Sequence, residues 1–315
     1  MNKCLCCYKP LRDGEVDYHP LCAKRFFGCY PAPAIPYTRK DINKLAQVVV
    51  QNRTTVTGIQ AKLSMDLEHD AAGQPQRLTI VGVMGRYILK PQTEQFERLP
   101  EMEDLTMHLA EIAKIQAVPH AMIRFQDGEL NYITRRIDRT DDGRKLPMED
   151  MCQLAGHLTE QKYQGSYEMI THLIRRYSSV ANLDLVNFWE QVVFSWIVGN
   201  ADMHLKNFSL YSEMPDKYVL TPTYDQVSTA IVMPEDTEEL ALPLNGFKKK
   251  LMRMDFMQAM EATGVSTQVA ERILNRFTPL TSKWFACIDT YFITDEQKDQ
   301  FKALIQNRIA VLQQP

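Results

Sequence analysis

No stretch of this sequence approaches the roughly 18 uninterrupted apolar residues of a membrane-spanning helix. Met1-Asn2-Lys3-Cys4 does not lead into the apolar core of a signal peptide either. A cytoplasmic chain with no membrane partner is the expectation. A large net charge is also missing: 36 Lys and Arg against 39 Asp and Glu leave −3. That gives no whole-chain basis for non-specific binding to nucleic acid or acidic membranes, although Lys248-Lys249-Lys250 is locally basic. Direct nucleic-acid binding is therefore not expected. Internal repeats and low-complexity tails are absent, as is an even cysteine count. Seven cysteines, crowded at Cys4, Cys6, Cys7, Cys22 and Cys29 with Cys152 and Cys287 apart, suit thiols or a metal better than a disulfide framework. What remains is ordinary for a folded chain. A composition 45% hydrophobic and 24% charged over 315 residues excludes disordered and fibrous classes and allows two lobes, each with a core.

The densest polar chemistry is Gly199-Asn200-Ala201-Asp202-Met203-His204-Leu205-Lys206-Asn207. An apolar, helix-like run from Leu185 to Val198 leads into it, and Phe208 to Tyr211 leaves it with strand alternation, so the cluster is expected on a loop between packed elements. Asp202 and Asn207 stand as Asp-x-x-x-x-Asn. This is the spacing of a kinase catalytic loop, in which the Asp orients the attacking hydroxyl and the Asn binds Mg²⁺. A second carboxylate, Asp225, follows the strand-like Tyr218-Val219-Leu220 and Pro222. Phosphoryl transfer needs such a set, because metals neutralise phosphate oxygens while a separate group holds the nucleophile in line. The same residues also read as loop caps beside an unrelated turn.

Upstream, Cys4-x-x-Cys7 and His19-x-x-Cys22 have the spacing of two zinc knuckles, and four N/S ligands would close a tetrahedral site; a cluster of buried thiols reads alike. The three prolines of Tyr30 to Pro36 predict an extended connector. A helix is expected over 41–51 with Asp41 as its cap. Thr54 to Leu63 reads either as a Thr-rich edge strand or as a loop over phosphates, with Gly58 and Lys62 facing the anion. Gln76 to Val81 and Arg86 to Leu89 predict a hairpin around Gly82 to Gly85. Lys90 closes the second of these strands, placed either to reach phosphates or to snorkel. A helix beginning after Pro100 carries Glu101, Glu103 and Asp104, of which Glu103 is the first candidate to pair with Lys90. Asp127-Gly128 predicts a second hairpin. Beyond it Thr134 to Arg139 marks a lobe hinge, with adenine near Tyr132 to Ile137. The rest reads as helices over 149–157, 167–177, 185–198, 255–264, 267–277, 283–291 and 295–312, with an extended Leu240 to Leu244.

Taken together, Thr55 to Lys62, Tyr87-Ile88-Leu89-Lys90, Arg135 to Arg139, Glu149 to Gln153, Gly199 to Asn207 and Leu220 to Asp225 resemble the HipA-like serine/threonine kinases of bacterial toxin–antitoxin modules. The likeness is greatest to the shorter HipT-type toxins. The resemblance implies an α+β, two-lobed protein-kinase-like fold, with a Cys/His segment over 1–36, a mixed, β-rich N-lobe over 37–138 and a mainly helical C-lobe over 139–315. It implies Asp202 as catalytic aspartate, with His204 and Lys206 lining the phosphate or acceptor site. Asn207 and Asp225 would hold Mg²⁺. Lys62, Gly58, Lys90, Glu103, Ile133, Arg136 and Asp138 would serve ATP. Family members phosphorylate a hydroxyl in their own loop, and the matching positions are Thr55 and Thr57. The threonines stand where serine is usual, and a β-branched side chain is more restricted at χ1. Cys4, Cys7, His19 and Cys22 resemble the opening of some short relatives. The implied partners are a HipB-like DNA-binding antitoxin, a small HipS-like protein supplying a subdomain this chain is too short to hold, and a protein substrate such as an aminoacyl-tRNA synthetase.

Two other classes compete. Asp202-x-His204-x-x-Asn207 is similar to the loop of aminoglycoside and phosphoinositide kinases, which phosphorylate small molecules and lipids. A kinase-shaped module that only binds an antitoxin would not need Lys90, Asp202, Asn207 and Asp225 together.

Overall fold

The computed structural model describes residues 3–42, 44, 62–70, 73–82 and 84–314. Most of the expected phosphate loop, including Thr55, Thr57 and Gly58, lies outside the described residues. The chain divides into two compact units, one made of Met1–Asp104 and Val118–Lys145, the other of Leu105–Ala117 and Leu146–Pro315.

The first unit is built on an antiparallel sheet. Its strands are β1 (Leu63–His69), β2 (Pro75–Ile80), β3 (Tyr87–Lys90), β4 (His120–Arg124) and β5 (Leu130–Arg135). Among the described residues their order is β2-β1-β3-β5-β4. The expected hairpin of β2 with β3 does not form, because β1 lies between them and pairs with both, Met65 opposite Ile80 on one side and Tyr87 on the other. Gly85 permits the close passage: a Cβ there would stand 2.5 Å from the Met65 carbonyl oxygen. The second hairpin forms as expected, with Gly128 at φ 86° in the turn between β4 and β5.

Both sheet edges are covered, which removes templates for unwanted strand pairing. The Leu5 carbonyl accepts the Met122 N–H on β4, at 2.9 Å. The proline connector runs beside β2, where the Leu78 N–H reaches the Ala34 carbonyl at 2.9 Å. The cap expected at Asp41 is shifted. Thr38 Oγ1 accepts the Asp41 N–H, and the Asp41 carboxylate accepts the Thr38 N–H at 2.9 Å, so Thr38 caps and Asp41 reciprocates.

The second unit is mainly helical. The helix Ala181–Ile197 runs through its middle with Phe188, Trp189, Val192, Val193, Trp196 and Ile197 all buried, so this aromatic stripe is core. Around it pack Tyr167–Tyr177, Arg253–Ala262, Thr267–Asn275, Thr281–Asp289 and Asp295–Leu312. A small sheet of β6 (Met148–Asp150), β7 (Ser209–Met214) and β8 (Lys217–Leu220) lies in the order β6-β7-β8.

Two expectations fail here. The helix expected over 149–157 is a strand followed by one turn, Met151–Leu154. Glu149 and Asp150 pair with Leu210 and Ser209, and Asp150 then caps the turn through the Gln153 N–H at 2.8 Å. The segment Leu240 to Leu244 bends rather than extending, with an isolated bridge between Leu244 and Phe247.

Leu89 lies at the centre of the larger sheet and is fully buried, whereas Leu183 is 60% exposed. Leu89→Ala is expected to cost about 2–5 kcal/mol and Leu183→Ala under about 0.5 kcal/mol, measured by urea unfolding.

Candidate active site

The buried helix Ala181–Ile197 ends at Gly199, whose φ of 69° turns the chain. A Cβ at this position would meet Leu304 at 2.6 Å and Ala230 at 2.8 Å, so glycine answers both the conformation and the space. The loop that follows is fixed by its own polar groups. The Asp202 N–H donates to Asn200 Oδ1 (3.1 Å), the His204 N–H donates to the Asp202 carbonyl (2.8 Å), and Asn207 Nδ2 donates to the same carbonyl (2.8 Å). Asp202 and Asn207 are therefore joined across the loop by a bond that commits the Asn207 amide nitrogen.

A second polar layer ties this loop to the turn that carries Asp225. Asn200 Nδ2 donates to Gln226 Oε1 at 3.0 Å and approaches the Asp225 carbonyl at 3.4 Å. Gln226 Oε1 also accepts from Ser195 (3.1 Å), and its Nε2 donates to Thr223 (2.9 Å). Thr229 accepts the Ala201 N–H (2.8 Å) and donates to the Gly199 carbonyl (3.1 Å). Asn200 and Gln226 are fully buried, so each amide must be satisfied inside the protein. Asp225 itself holds φ 55°, a left-handed conformation uncommon outside glycine, of the kind retained at functional turns.

The Asp202 side chain is 44% exposed, and its Oδ1 accepts the Tyr163 hydroxyl at 2.6 Å. Burial, reinforced by that carboxylate, pushes the Tyr163 phenol up, so it stays a donor. The Tyr163 ring meets the His204 ring edge-on, with centroids 5.0 Å apart. Burial pushes His204 down to about 4, against the opposing pull of Asp202, so its imidazole is neutral near pH 7. Lys206 turns to Asp150 and forms a 2.7 Å ion pair. Asp150 therefore both caps Met151–Leu154 and holds the loop lysine.

In the first unit Lys90 is 4% exposed and forms an ion pair with Glu103. The neighbouring acids have other partners: Glu101 takes Arg98, and Asp104 takes His120. The Lys90 ammonium also lies over the Tyr132 ring, 5.4 Å from its centroid. Ile133 is buried on β5, and Arg136 grips Asp138 with two bonds of 2.9 and 2.8 Å. Burial pushes the Asp138 carboxyl up, but Arg136 and Arg139 outweigh it and hold the group below its ordinary value. Lys62 is exposed just ahead of β1. Cys4, Cys7, His19 and Cys22 gather so that their ligand atoms lie within 4.8 Å of one another.

Spacing alone singled out Asp202, Asn207 and Asp225. It did not single out Asn200, Gln226 or Tyr163 individually, nor the double role of Asp150. Asn200 and Gln226 stand next to singled-out residues, and that adjacency was the available signal.

A family model described as HipA-like C-terminal domain matches residues 54–284. A provisionally named kinase of Sinorhizobium fredii is 33% identical over 60% of this chain and 48% of its own length. Another, of Haemophilus influenzae, is 26% identical over 88% of this chain and 81% of its own length. The chain thus spans about half the length of the first relative. Among solved structures, a Shewanella oneidensis toxin–antitoxin complex of HipA, HipB and operator DNA aligns over 90% of this chain and 72% of the other, with a TM-score of 0.67 and 18% identity. A Helicobacter pylori proinflammatory kinase aligns over 79% of this chain and 95% of the other, with a TM-score of 0.55 and 12% identity. These likenesses establish a mixed α+β fold of the HipA and kinase kind. Among the described residues no helix is long and apolar enough to cross a membrane.

The neutral His204 makes stability depend on pH. Its folded value of about 4 lies below the ordinary 6.5, so between these values the unfolded chain binds more protons. The contribution is complete above pH 6.5 and is lost as pH falls towards 4, by on the order of 3 kcal/mol. Urea titrations from pH 4 to 7 should show this slope in the parent and a shallower one in His204→Asn.

Proposed function

We propose, on the premise that the chain belongs to the HipA-like C-terminal domain family, that it is an ATP- and Mg²⁺-dependent serine/threonine protein kinase acting as the toxin of a toxin–antitoxin module. The observation that carries the reading is the Asp202–Asn207 loop, closed by the Asn207 bond to the Asp202 carbonyl and tied through Asn200 to the Asp225 turn. A carboxylate, a carboxamide oxygen and a second carboxylate form an all-oxygen donor set suited to a hard cation. Asn207 and Asp225 would hold Mg²⁺, which would neutralise charge on the phosphate oxygens. Lys90, held by Glu103, would meet the α/β-phosphates, assisted by Lys62 and Gly58 of the loop. Ile133, Arg136 and Asp138 belong to the nucleotide-binding segment.

The nucleophile would be a protein hydroxyl hydrogen-bonded to Asp202. Tyr163 supports this role, because its hydroxyl already donates to Asp202 Oδ1 as an acceptor hydroxyl would. The hydroxyl oxygen bonds to the γ-phosphorus as the bond to the β-phosphate oxygen breaks. ADP leaves, and the proton passes by way of Asp202 to solvent. The neutral His204 lines the acceptor side without adding charge, and the Asp150 pair keeps Lys206 in a fixed position.

A HipB-like antitoxin is the proposed partner, by analogy with the Shewanella oneidensis complex. A small HipS-like protein, an aminoacyl-tRNA synthetase substrate and self-phosphorylation at Thr55 or Thr57 complete the HipT-type reading.

The test is incubation with γ-labelled ATP and Mg²⁺, alone and with a lysate, followed by phosphosite mass spectrometry. Label is expected in the parent. It should fall at least about a hundredfold in Asp202→Asn and in Asp225→Ala, both with unchanged circular dichroism. Equal labelling in either variant would sink the assigned roles. Transfer only to small molecules would replace the protein acceptor, and failure to bind ATP would leave a binding module.

A further inference from the structure

The N-terminal cluster is not among the residues of the proposed phosphotransfer site, and its ligand atoms are positioned by local hydrogen bonds. Cys4 and Cys7 flank a tight knuckle closed by the Tyr8 N–H on the Cys4 carbonyl (2.9 Å) and the Cys4 N–H on the Lys9 carbonyl (3.0 Å). The knuckle leaves through Tyr8 at φ 60°. His19 precedes the helix Pro20–Phe27 and Cys22 lies in its first turn, so both side chains emerge at the same helix end. His19 Nε2 is 3.0 Å from the Pro10 carbonyl, an atom that can only accept. The ring proton is therefore on Nε2, and Nδ1 presents its lone pair to Cys7 Sγ (3.3 Å) and Cys22 Sγ (3.9 Å). An imidazole fixed by a backbone carbonyl on its far nitrogen is the usual outer support of a metal-bound histidine.

We infer that Cys4, Cys7, His19 and Cys22 form a closed, structural zinc centre. Three thiolates and one imidazole fill a tetrahedron, and soft sulfur donors select zinc over the hard cation of the phosphotransfer site. Binding Zn²⁺ releases three thiol protons and leaves a centre of net charge −1. The N-terminus of the Pro20–Phe27 helix faces this excess negative charge with its positive dipole end.

The same knuckle is anchored on both sides. Leu5, between the ligands Cys4 and Cys7, accepts the Met122 N–H at the sheet edge (2.9 Å). Tyr8, next after Cys7, donates its hydroxyl to the Asp104 carboxylate, whose other oxygen holds His120 Nδ1 at 2.5 Å. Asp104 adjoins Glu103, the partner of Lys90. A metal at the knuckle therefore stabilises a chain of contacts that ends beside the buried strand lysine.

The test uses the full chain, expressed without a histidine tag and purified without chelators. Elemental analysis should find about one zinc per chain, and zinc-edge X-ray absorption should find three sulfurs at about 2.3 Å and one nitrogen at about 2.0 Å. Cys7→Ser/Cys22→Ser should lose the metal, and Cys6→Ser should keep it. Tyr8→Phe should keep the metal with a lowered Tm. Because the double variant can fail for lack of folding, the parent decides: less than about a tenth of an equivalent of zinc, iron with inorganic sulfide, or an oxygen-dominated zinc shell would each overturn the assignment. Loss of zinc from Cys6→Ser would overturn the ligand set, and an unchanged Tm in Tyr8→Phe would overturn the anchoring. None of these readouts depends on phosphoryl transfer.

Discussion

The candidate site depends on one buried hydrogen bond, from Asn200 to Gln226. It joins the loop bearing Asp202 and Asn207 to the turn bearing Asp225, two segments that sequence separates by a strand hairpin. Both amides are fully buried, so an incomplete network would leave polar atoms unsatisfied at a cost of about 1–3 kcal/mol each. Ser195, Thr223 and Thr229 complete it. The network is thus a positioning device, holding the half-buried Asp202 and Asp225 and the buried Asn207 by means of groups that are themselves buried. The helix Ala181–Ile197 supplies the base, and Gly199 turns the chain where a Cβ would clash with Leu304 and Ala230.

The first unit uses a different physical means to the same end. Lys90 and Glu103 are both nearly inaccessible and form an ion pair, which offsets the cost of burying either group. Removing one partner would leave the other buried without its ion pair, at a cost of about 3–5 kcal/mol. Arg98 and His120 pair with the two other nearby acids, Glu101 and Asp104. The N-terminal knuckle reaches the same region through Tyr8 and Asp104, so the Cys/His cluster and the Lys90–Glu103 pair lie along one run of contacts.

Elements with strong local signals were legible in the sequence. The helices Tyr167–Tyr177 and Asp295–Leu312 have the boundaries that periodicity predicts, and Asp127-Gly128 makes its hairpin. The failures are non-local. Nothing in β2 or β3 reveals that β1 pairs with both, because pairing is decided by contacts distant in sequence. The helix expected over 149–157 fails because Asp150 is drawn into pairing with Ser209, and only then caps the turn. The site shows the same division. The spacing pointed to the loop of Asp202 and Asn207 and to the Asp225 turn, and these two segments are joined by hydrogen bonds. It did not point to Asn200, Gln226 or Tyr163, since a hydrogen-bond partner in the fold has no required distance along the chain.

The most direct test of this account is the Mg²⁺ dependence of phosphoryl transfer from ATP in Asn200→Ala beside the parent. If the buried amide pair sets Asp225 against the catalytic loop, the variant needs about tenfold more Mg²⁺ for half-maximal rate, and saturating Mg²⁺ restores part of the lost activity. An unchanged Mg²⁺ requirement in a folded Asn200→Ala chain would contradict it.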